Sequence, residues 1–251
     1  MIEGVAFQTR ARTIDHLGRG QIADAPTAVS ELWKNAYDAY AKNVALHIFD
    51  GSPEIAAIFD DGVGMNRQDI LERWLVIGTE SKFDESEKTS TDTLGLPLRP
   101  RQGEKGIGRL SVAFLAPGTF LISKRANSDF VAIAVDWRLF ENPYLALSDI
   151  ELPVQTFKSA DALIDGLPAL LDTLKSDLGG KGSEREKRLA ASWKCFSDYE
   201  AKQKLPSTAD AITAAWTKMP LTRRHLEEWP VFLGLADHGT AIFMVGLNNE
   251  L

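Results

Sequence analysis

Glu31, Asn35 and Asp38 are the first residues whose types and spacing suggest chemistry. Intervals of four and then three residues place side chains on one face of a helix. A solvated polar face has the same spacing, so this set alone favours an ordinary surface interpretation.

A second candidate site lies at residues 60–65, Asp-Asp-Gly-Val-Gly-Met, directly after an apolar strand pattern. Glycines at alternate positions let the backbone turn sharply and come close to a flat ligand. The acid at the strand end, Asp60, could accept a hydrogen bond from an exocyclic amine. A simple Asp-Gly turn explains the same residues about equally well, so both interpretations stay open.

A third segment, residues 103–108, is Gly-Glu-Lys-Gly-Ile-Gly and precedes a predicted helix over residues 109–116. Such a segment suits phosphate, because its amides point outward and the helix dipole favours anions. It is not a P-loop, since no Gly-Lys-Ser/Thr follows. It is not a dinucleotide-binding fingerprint either, since no strand immediately precedes it.

The elements that must position these residues are one helix and a set of strands. Residues 24–42 are predicted to be a helix, capped by Asp24, with Pro26 in its first turn and an apolar stripe of Val29, Leu32, Trp33, Ala36 and Tyr40. Strand patterns occur at residues 44–49, 54–60, 120–125, 130–137 and 240–247. Together they predict a β-meander with helices on one face.

In this order the three segments resemble the motifs of the GHKL superfamily, which unites gyrase, the ninety-kilodalton heat-shock chaperone, histidine kinases and MutL. Residues 31–39 resemble its N box, and residues 60–65 and 103–108 its two glycine boxes. Residues 239–242 resemble the Gly-Thr strand that completes the adenine pocket. Residues 74–82 are closest in style to the chaperone, MutL and MORC branches. The resemblance implies an α/β (α+β) two-layer sandwich of the Bergerat type, with a mainly antiparallel sheet.

The resemblance also implies a role for each matching residue. Glu31 would be the catalytic base, Asn35 would bind Mg²⁺, and Asp38 would lie just behind them. Asp60 would accept the adenine amine, supported by Thr240. The remaining predicted ATP-binding residues are the pocket residues Gly62, Gly64 and Met65 and the phosphate-side residues Lys82, Lys105, Gly106, Ile107 and Gly108. Arg99 and Arg101 could also face an anionic ligand, although basic residues are common in loops.

The span of the resemblance, together with the changes of sequence pattern along the chain, implies the domain organisation. We expect one ATP-binding domain over residues 1–251, with a polar ATP lid at 78–108 and a helical insertion at 152–232. Within the insertion, helical patterns cover residues 163–178, 183–204, 207–219 and 221–229. The leucine stripe of the first pattern is interpreted as core packing.

Composition narrows the class of protein. The chain has 28 Lys+Arg against 35 Asp+Glu, a net charge of −7, so direct nucleic-acid binding by this domain is not expected. The single cysteine, Cys195, excludes an intramolecular disulfide and is interpreted as a buried small group. No segment resembles a signal peptide or a membrane span, which predicts a cytoplasmic protein. The four histidines lack metal-ligand spacing, and the six tryptophans are interpreted as core residues.

The predicted function is Mg-dependent ATP binding and slow hydrolysis, driving lid closure and formation of a homodimer. The chain would be the ATPase module of a larger chaperone-like, MutL-like or MORC-like protein. A following domain or a partner would supply a lysine or arginine to the γ-phosphate. The alternatives are a protein-histidine kinase, for which His225 is the helical candidate phosphoacceptor, and an ATP-switched binding module with negligible turnover.

Overall fold

A computed structural model describes residues 8–77, 89–102 and 108–248. Its centre is a six-stranded sheet in which every neighbouring pair is antiparallel. The strands are β1 Val44–Phe49, β2 Ile55–Asp60, β3 Gly118–Lys124, β4 Phe130–Asp136, β5 Val154–Phe157 and β6 Gly239–Val245. The predicted fold class is confirmed. The short strand β5 was not predicted, and it places the first residues of the 152–232 segment in the sheet.

The sheet order is β1-β2-β6-β3-β4-β5, so the last strand of the chain lies at the centre rather than at an edge. This departs from a simple meander. Its consequence is a register that sets Thr240 of β6 opposite both Asp60 of β2 and Ser123 of β3. Residues far apart in sequence therefore meet at one end of three adjacent strands.

The α-helices include one for each helical pattern in the sequence, several of them shorter than the pattern, and two that were not predicted, the first and the third along the chain. They are α1 Arg12–Gly18, α2 Ala25–Asp38, α3 Arg67–Asp69, α4 Val112–Leu115, α5 Ala160–Ser176, α6 Glu184–Gln203, α7 Thr208–Ala215 and α8 Arg223–Leu226. None of the helices in the described part of the chain combines the length and apolar character that crossing a membrane requires.

Helix α2 forms where its sequence predicts it. The Asp24 side chain accepts a hydrogen bond from the Thr27 amide at 2.8 Å, which caps the helix. Leu32 and Ala36 are buried on its inner face, whereas Trp33 is 48% exposed. The prediction that Trp33 belongs to the apolar stripe is wrong, because its position on the helix points away from the sheet.

Helices pack on both faces of the sheet. Thr119 accepts a hydrogen bond from Trp137, whose 3₁₀ turn contacts α1, so this side chain marks the α1 face. The next residue, Phe120, points to the opposite face and contacts Trp216 at 5.7 Å between ring centroids. Trp216 follows α7, and α5 packs on β4 and β5. Helix α5 and Trp216 therefore cover the face that the α1–α2 layer leaves open, a second layer that the predicted meander with helices on one face does not include.

The prediction that Cys195 is buried is also wrong. Its side chain is exposed on α6, while the neighbouring Trp193 and Phe196 are buried. The predicted burial assumed that Cys195 shares the apolar face of its neighbours, but the helical rotation turns it outward.

Candidate active site

The polar face of α2 carries Glu31, Asn35 and Asp38 as predicted, all partly exposed. Glu31 Oε1 lies 2.6 Å from the Nζ atom of Lys34, one turn further along the helix. Asp38 Oδ1 accepts a hydrogen bond from the Gln102 amide at 2.9 Å. Asp38 therefore attaches the segment 89–102 to the helix.

Gly108 brings the second glycine segment to this helix. A Cβ atom built at Gly108 would lie 2.9 Å from Glu31 Oε2 and 3.7 Å from Asn35 Oδ1. The absence of a side chain at this position keeps the space beside the two oxygens open. The predicted ligands Lys82, Lys105, Gly106 and Ile107 lie outside the described residues.

Asp60 ends β2 with a carboxyl group that is largely removed from water. The Gly62 amide donates to Asp60 Oδ1 at 2.9 Å, and the Thr240 amide also supports the carboxylate. Burial nevertheless raises the pKa of Asp60 to about 7, and the neighbouring Asp61 adds to this rise. Asp61 itself accepts three hydrogen bonds from the Lys42 amide and from the amide and side chain of Asn43, so it fixes the turn.

The two glycines after Asp60 have a packing reason in the protein itself. A Cβ atom at Gly62 would lie 2.7 Å from the Ala39 carbonyl oxygen. At Gly64, whose φ is +65°, it would lie 1.9 Å from the Lys124 carbonyl oxygen. The predicted contact of these glycines with a base stays a prediction. The close approach of backbone segments already requires glycine at both positions.

Ser123 joins the first glycine box to β6, and the sequence analysis missed it. Its Oγ accepts from the Met65 amide at 2.8 Å, donates to the Gly239 carbonyl at 3.0 Å and lies 2.9 Å from Thr240 Oγ1. Thr240 thus directs its hydroxyl to Ser123 and supports Asp60 through its amide. A single serine in a run of apolar strand residues carries no local pattern that would reveal this role.

His238 is a second residue of the site that sequence reasoning missed. Its Nδ1 lies 2.7 Å from the Gly62 carbonyl oxygen. Since a carbonyl only accepts, Nδ1 carries the proton in this contact. The segment before β6 therefore holds the turn that follows Asp60.

The basic residues near the site are largely bound to backbone oxygens. Arg99 donates from Nη1 to the carbonyls of Tyr37 at 3.2 Å and Ala41 at 2.9 Å, and its guanidinium lies 4.8 Å from the Tyr37 ring centre. These contacts cap the C-terminal end of α2 and give Arg99 a structural role, so they do not support the hypothesis that it faces an anionic ligand. Arg109 donates to the Trp74 carbonyl at 2.7 Å. Burial lowers the pKa of Arg109, with a smaller contribution from nearby Arg101.

The described part of the predicted lid is fixed at both ends. Arg125 at the end of β3 pairs with Asp92 and lies 3.3 Å from Asp69 of α3. Arg99 and Gln102 bind the other end to α2. Residues 89–102 are thus attached to the two elements that flank the site.

The oxygen donors on α2 fit a hard cation. Glu31 and Asn35 present a carboxylate and an amide oxygen toward the space that Gly108 leaves open, which is the donor chemistry of Mg²⁺. Among the residues described, His, Cys, Asp and Glu form no cluster of three that could hold a metal ion by themselves. A cation here would therefore need further oxygens from a ligand or from water.

Comparison with known proteins decides the family. Residues 24–161 match the family model described as "Histidine kinase-, DNA gyrase B-, and HSP90-like ATPase". The chain belongs to this family. The resemblance inferred from the motifs is confirmed, and the matched range contains the predicted site residues Glu31, Asn35, Asp60 and Gly108.

Several relatives of this chain are DNA mismatch repair proteins named MutL. The protein of Clostridium botulinum is 38% identical over 85 residues, which cover 33% of this chain and 12% of the relative. That of Clostridium beijerinckii is 37% identical over 102 residues, or 40% and 15% of the two chains. That of Koribacter versatilis is 26% identical over 162 residues, or 64% and 23%. The chain thus spans less than a quarter of the length of these relatives.

Proposed function

We propose that this chain binds Mg-ATP between α2, the turn after β2 and the glycine segment before α4, and hydrolyses it slowly. The observation that carries the proposal is the position of Gly108 beside Glu31 Oε2 and Asn35 Oδ1. This position places the end of a glycine segment suited to phosphate beside the carboxylate of Glu31 and the side-chain amide oxygen of Asn35, an oxygen type that suits Mg²⁺. Membership of an ATPase family supports the same conclusion.

Each residue has a defined task in this proposal. Asp60 accepts the adenine N6 amine, a group that guanine lacks at that position, so it selects ATP over GTP. Glu31 orients and deprotonates the water that attacks the γ-phosphate. Asn35 is the protein ligand of Mg²⁺, which neutralises phosphate charge when bound. Lys105, Gly106 and Ile107 are proposed phosphate ligands with Gly108, and Lys82 a further one.

The wider role extends beyond this chain. We propose that ATP binding closes the lid, which consists of residues 78–108, and promotes formation of a homodimer. In this proposal the chain is part of a larger protein of the MutL, chaperone or MORC kind. The named relatives support the first of these, since they are called DNA mismatch repair proteins and are much longer than this chain. The single-domain organisation with a helical insertion at 152–232 is part of the same proposal.

The histidine-kinase alternative has less support. His225 would be the phosphoacceptor, but its Nδ1 accepts from the Thr222 amide at 3.0 Å and its ring packs 4.8 Å from that of Phe49. Burial, with a smaller contribution from Arg224, lowers its pKa. This histidine acts as a helix cap. The ATP-switched binding module remains the main alternative and differs from the proposal only in turnover.

The test is Glu31→Ala, compared with Glu184→Ala as the control. Glu184 is 81% exposed on α6 and makes the same contact with a lysine three residues later, at 2.6 Å. We expect Glu31→Ala to bind ATP within about threefold of wild type and to lose at least about 100-fold in turnover. Unchanged hydrolysis would contradict the role of Glu31. Binding without turnover in the wild type would favour the switch, and stable label transferred from γ-labelled ATP to the protein would favour the kinase.

A further inference from the structure

Lys34 lies on the same helical face as the proposed base but has no role in the motif. Its Nζ is 2.6 Å from Glu31 Oε1, and the two side chains are 40% and 25% exposed. An interval of three residues on α2 aims Lys34 toward the side of the helix that carries Glu31. This ammonium group is therefore within reach of whatever the carboxylate contacts.

Other cations around the site have backbone or structural partners. Arg99 binds the carbonyls at the end of α2, and Arg109 binds the Trp74 carbonyl. Arg125 pairs with two aspartates. Lys34 differs from them, because the partner that the structure gives it is a carboxylate of the candidate active site.

The ion pair between Lys34 and Glu31 is weak enough for Lys34 to leave it for another anion. Exposed ion pairs between residues three apart on a helix are weak, because water screens the charges and both side chains lose freedom. Lysine is a compact charge on a flexible four-carbon stem, and it is a common phosphate ligand. A triphosphate carries more negative charge than one carboxylate, so it would attract the ammonium more strongly.

We propose that Lys34 is a ligand of the terminal phosphate of ATP, an inference that rests on the proposed function. In the nucleotide-free protein the ammonium group pairs with Glu31. When ATP binds, it moves to the γ-phosphate, and Glu31 is released to act on water. The chain thereby supplies a phosphate-side cation of its own.

With Lys34 beside the γ-phosphate, the bonds and protons of ATP hydrolysis are accounted for as follows. The water oxygen forms a bond to the γ-phosphorus while the bond from that phosphorus to the bridging oxygen of ADP breaks. Glu31 takes the proton from water and passes it to solvent or to the departing phosphate. Lys34 stays protonated throughout and stabilises the charge on the γ-phosphoryl oxygens.

The experiment measures ATP and ADP affinities by calorimetry for wild type, Lys34→Gln and Lys34→Arg, together with single-turnover hydrolysis. Lys187→Gln is the matched control, because Lys187 makes the same contact at 2.6 Å with the glutamate three residues earlier, on α6. We expect Lys34→Gln to bind ATP about tenfold more weakly while ADP affinity changes less than about twofold. Lys34→Arg should recover most of the ATP affinity, and Lys187→Gln should behave as wild type.

Three results would overturn the inference. An equal loss of ATP and ADP affinity would place Lys34 away from the γ-phosphate. Unchanged affinities would remove it from the site. Faster hydrolysis with unchanged affinity would mean that Lys34 only restrains Glu31. Failure of the wild-type chain to bind ATP would instead contradict the proposed function, and the role of Lys34 would fall with it.

Discussion

At the scale of single residues, Asp60 combines a cost to stability with a proposed role in binding. It lies at the end of a buried strand, and its pKa is raised by burial to about 7 although two amides stabilise the carboxylate. In the proposed function the same carboxylate receives the adenine amine. A group placed for binding in this way is expected to reduce the stability of the empty protein.

The pH dependence of unfolding tests this placement. Because the pKa of Asp60 is about 7 in the folded chain against an ordinary 3.8, the folded state holds this proton more strongly. Its contribution to stability is full below about pH 4 and is lost as pH rises through 7. We expect Asp60→Asn to raise the free energy of unfolding at pH 8 by on the order of 1–3 kcal/mol, with little change at pH 4. Urea unfolding at both pH values measures the difference.

The control for Asp60→Asn is Asp172→Asn, because the Asp172 side chain is 84% exposed. It should leave the pH dependence of unfolding unchanged. The same Asp60 variant should bind ATP at least about tenfold more weakly, since an amide can present its NH₂ group to the adenine amine. A variant that is less stable at pH 8 would show that the buried charge does not destabilise the fold.

At the scale of elements, the site depends on how closely turns approach strand ends. The turn after β2 passes β3 at Gly64, and the 3₁₀ turn at Gly108–Ser111 packs against α2. Ser123 and His238 then bind the first of these turns from β3 and from the segment before β6. The positions of Asp60 and Met65 are therefore set by their neighbours in space.

Gly64→Ala and Gly95→Ala separate close approach from backbone conformation. Both glycines have positive φ, +65° and +70°, but a Cβ atom at Gly95 meets nothing within 4 Å, whereas at Gly64 it meets the Lys124 carbonyl oxygen at 1.9 Å. We expect Gly95→Ala to cost about 1 kcal/mol, from the φ angle alone. Gly64→Ala should cost about 3 kcal/mol or more, because β3 or the turn must move. Equal losses of unfolding free energy would rule out the close approach.

At the scale of the whole molecule, the sheet is covered on both faces. The α1–α2 layer carries the candidate active site, and α5 and Trp216, which follows α7, pack on the other face. Trp216 connects this second layer to the sheet, since its ring contacts Phe120 and its Nε1 donates to Asp136 Oδ2 at 2.6 Å. Both Trp216 and Asp136 are fully buried.

Trp216→Phe tests whether the second layer supports stability separately from nucleotide binding. Phenylalanine keeps an aromatic contact and removes the donor to Asp136, which retains Arg138 as a partner. We expect a loss of about 2 kcal/mol in unfolding free energy, with ATP affinity within about twofold of wild type. Trp33→Phe is the control, because Trp33 is exposed and should cost less than about 0.5 kcal/mol. A large loss of ATP affinity in folded Trp216→Phe would show that the two faces are coupled.

The sequence by itself determined most of the elements and the family of this protein. The Asp24 cap and the periodic apolar residues predicted α2, apolar runs beside turns predicted five of the strands, and the acidic segment with the two glycine segments indicated the family. These features succeed because capping, periodicity and glycine requirements act over a few residues. The four-residue strand β5 carries too little of such a pattern to be predicted.

Only the tertiary structure decided which of these residues meet. The central place of β6 brings Thr240, Ser123 and Asp60 together, and no local pattern encodes a pairing over such separations. The same holds for Arg99, whose partners are backbone carbonyls, and for His238, which contacts the carbonyl of Gly62. The partners of these side chains are backbone carbonyl groups of distant segments. Because every residue type has such a group, residue identities alone cannot reveal these contacts.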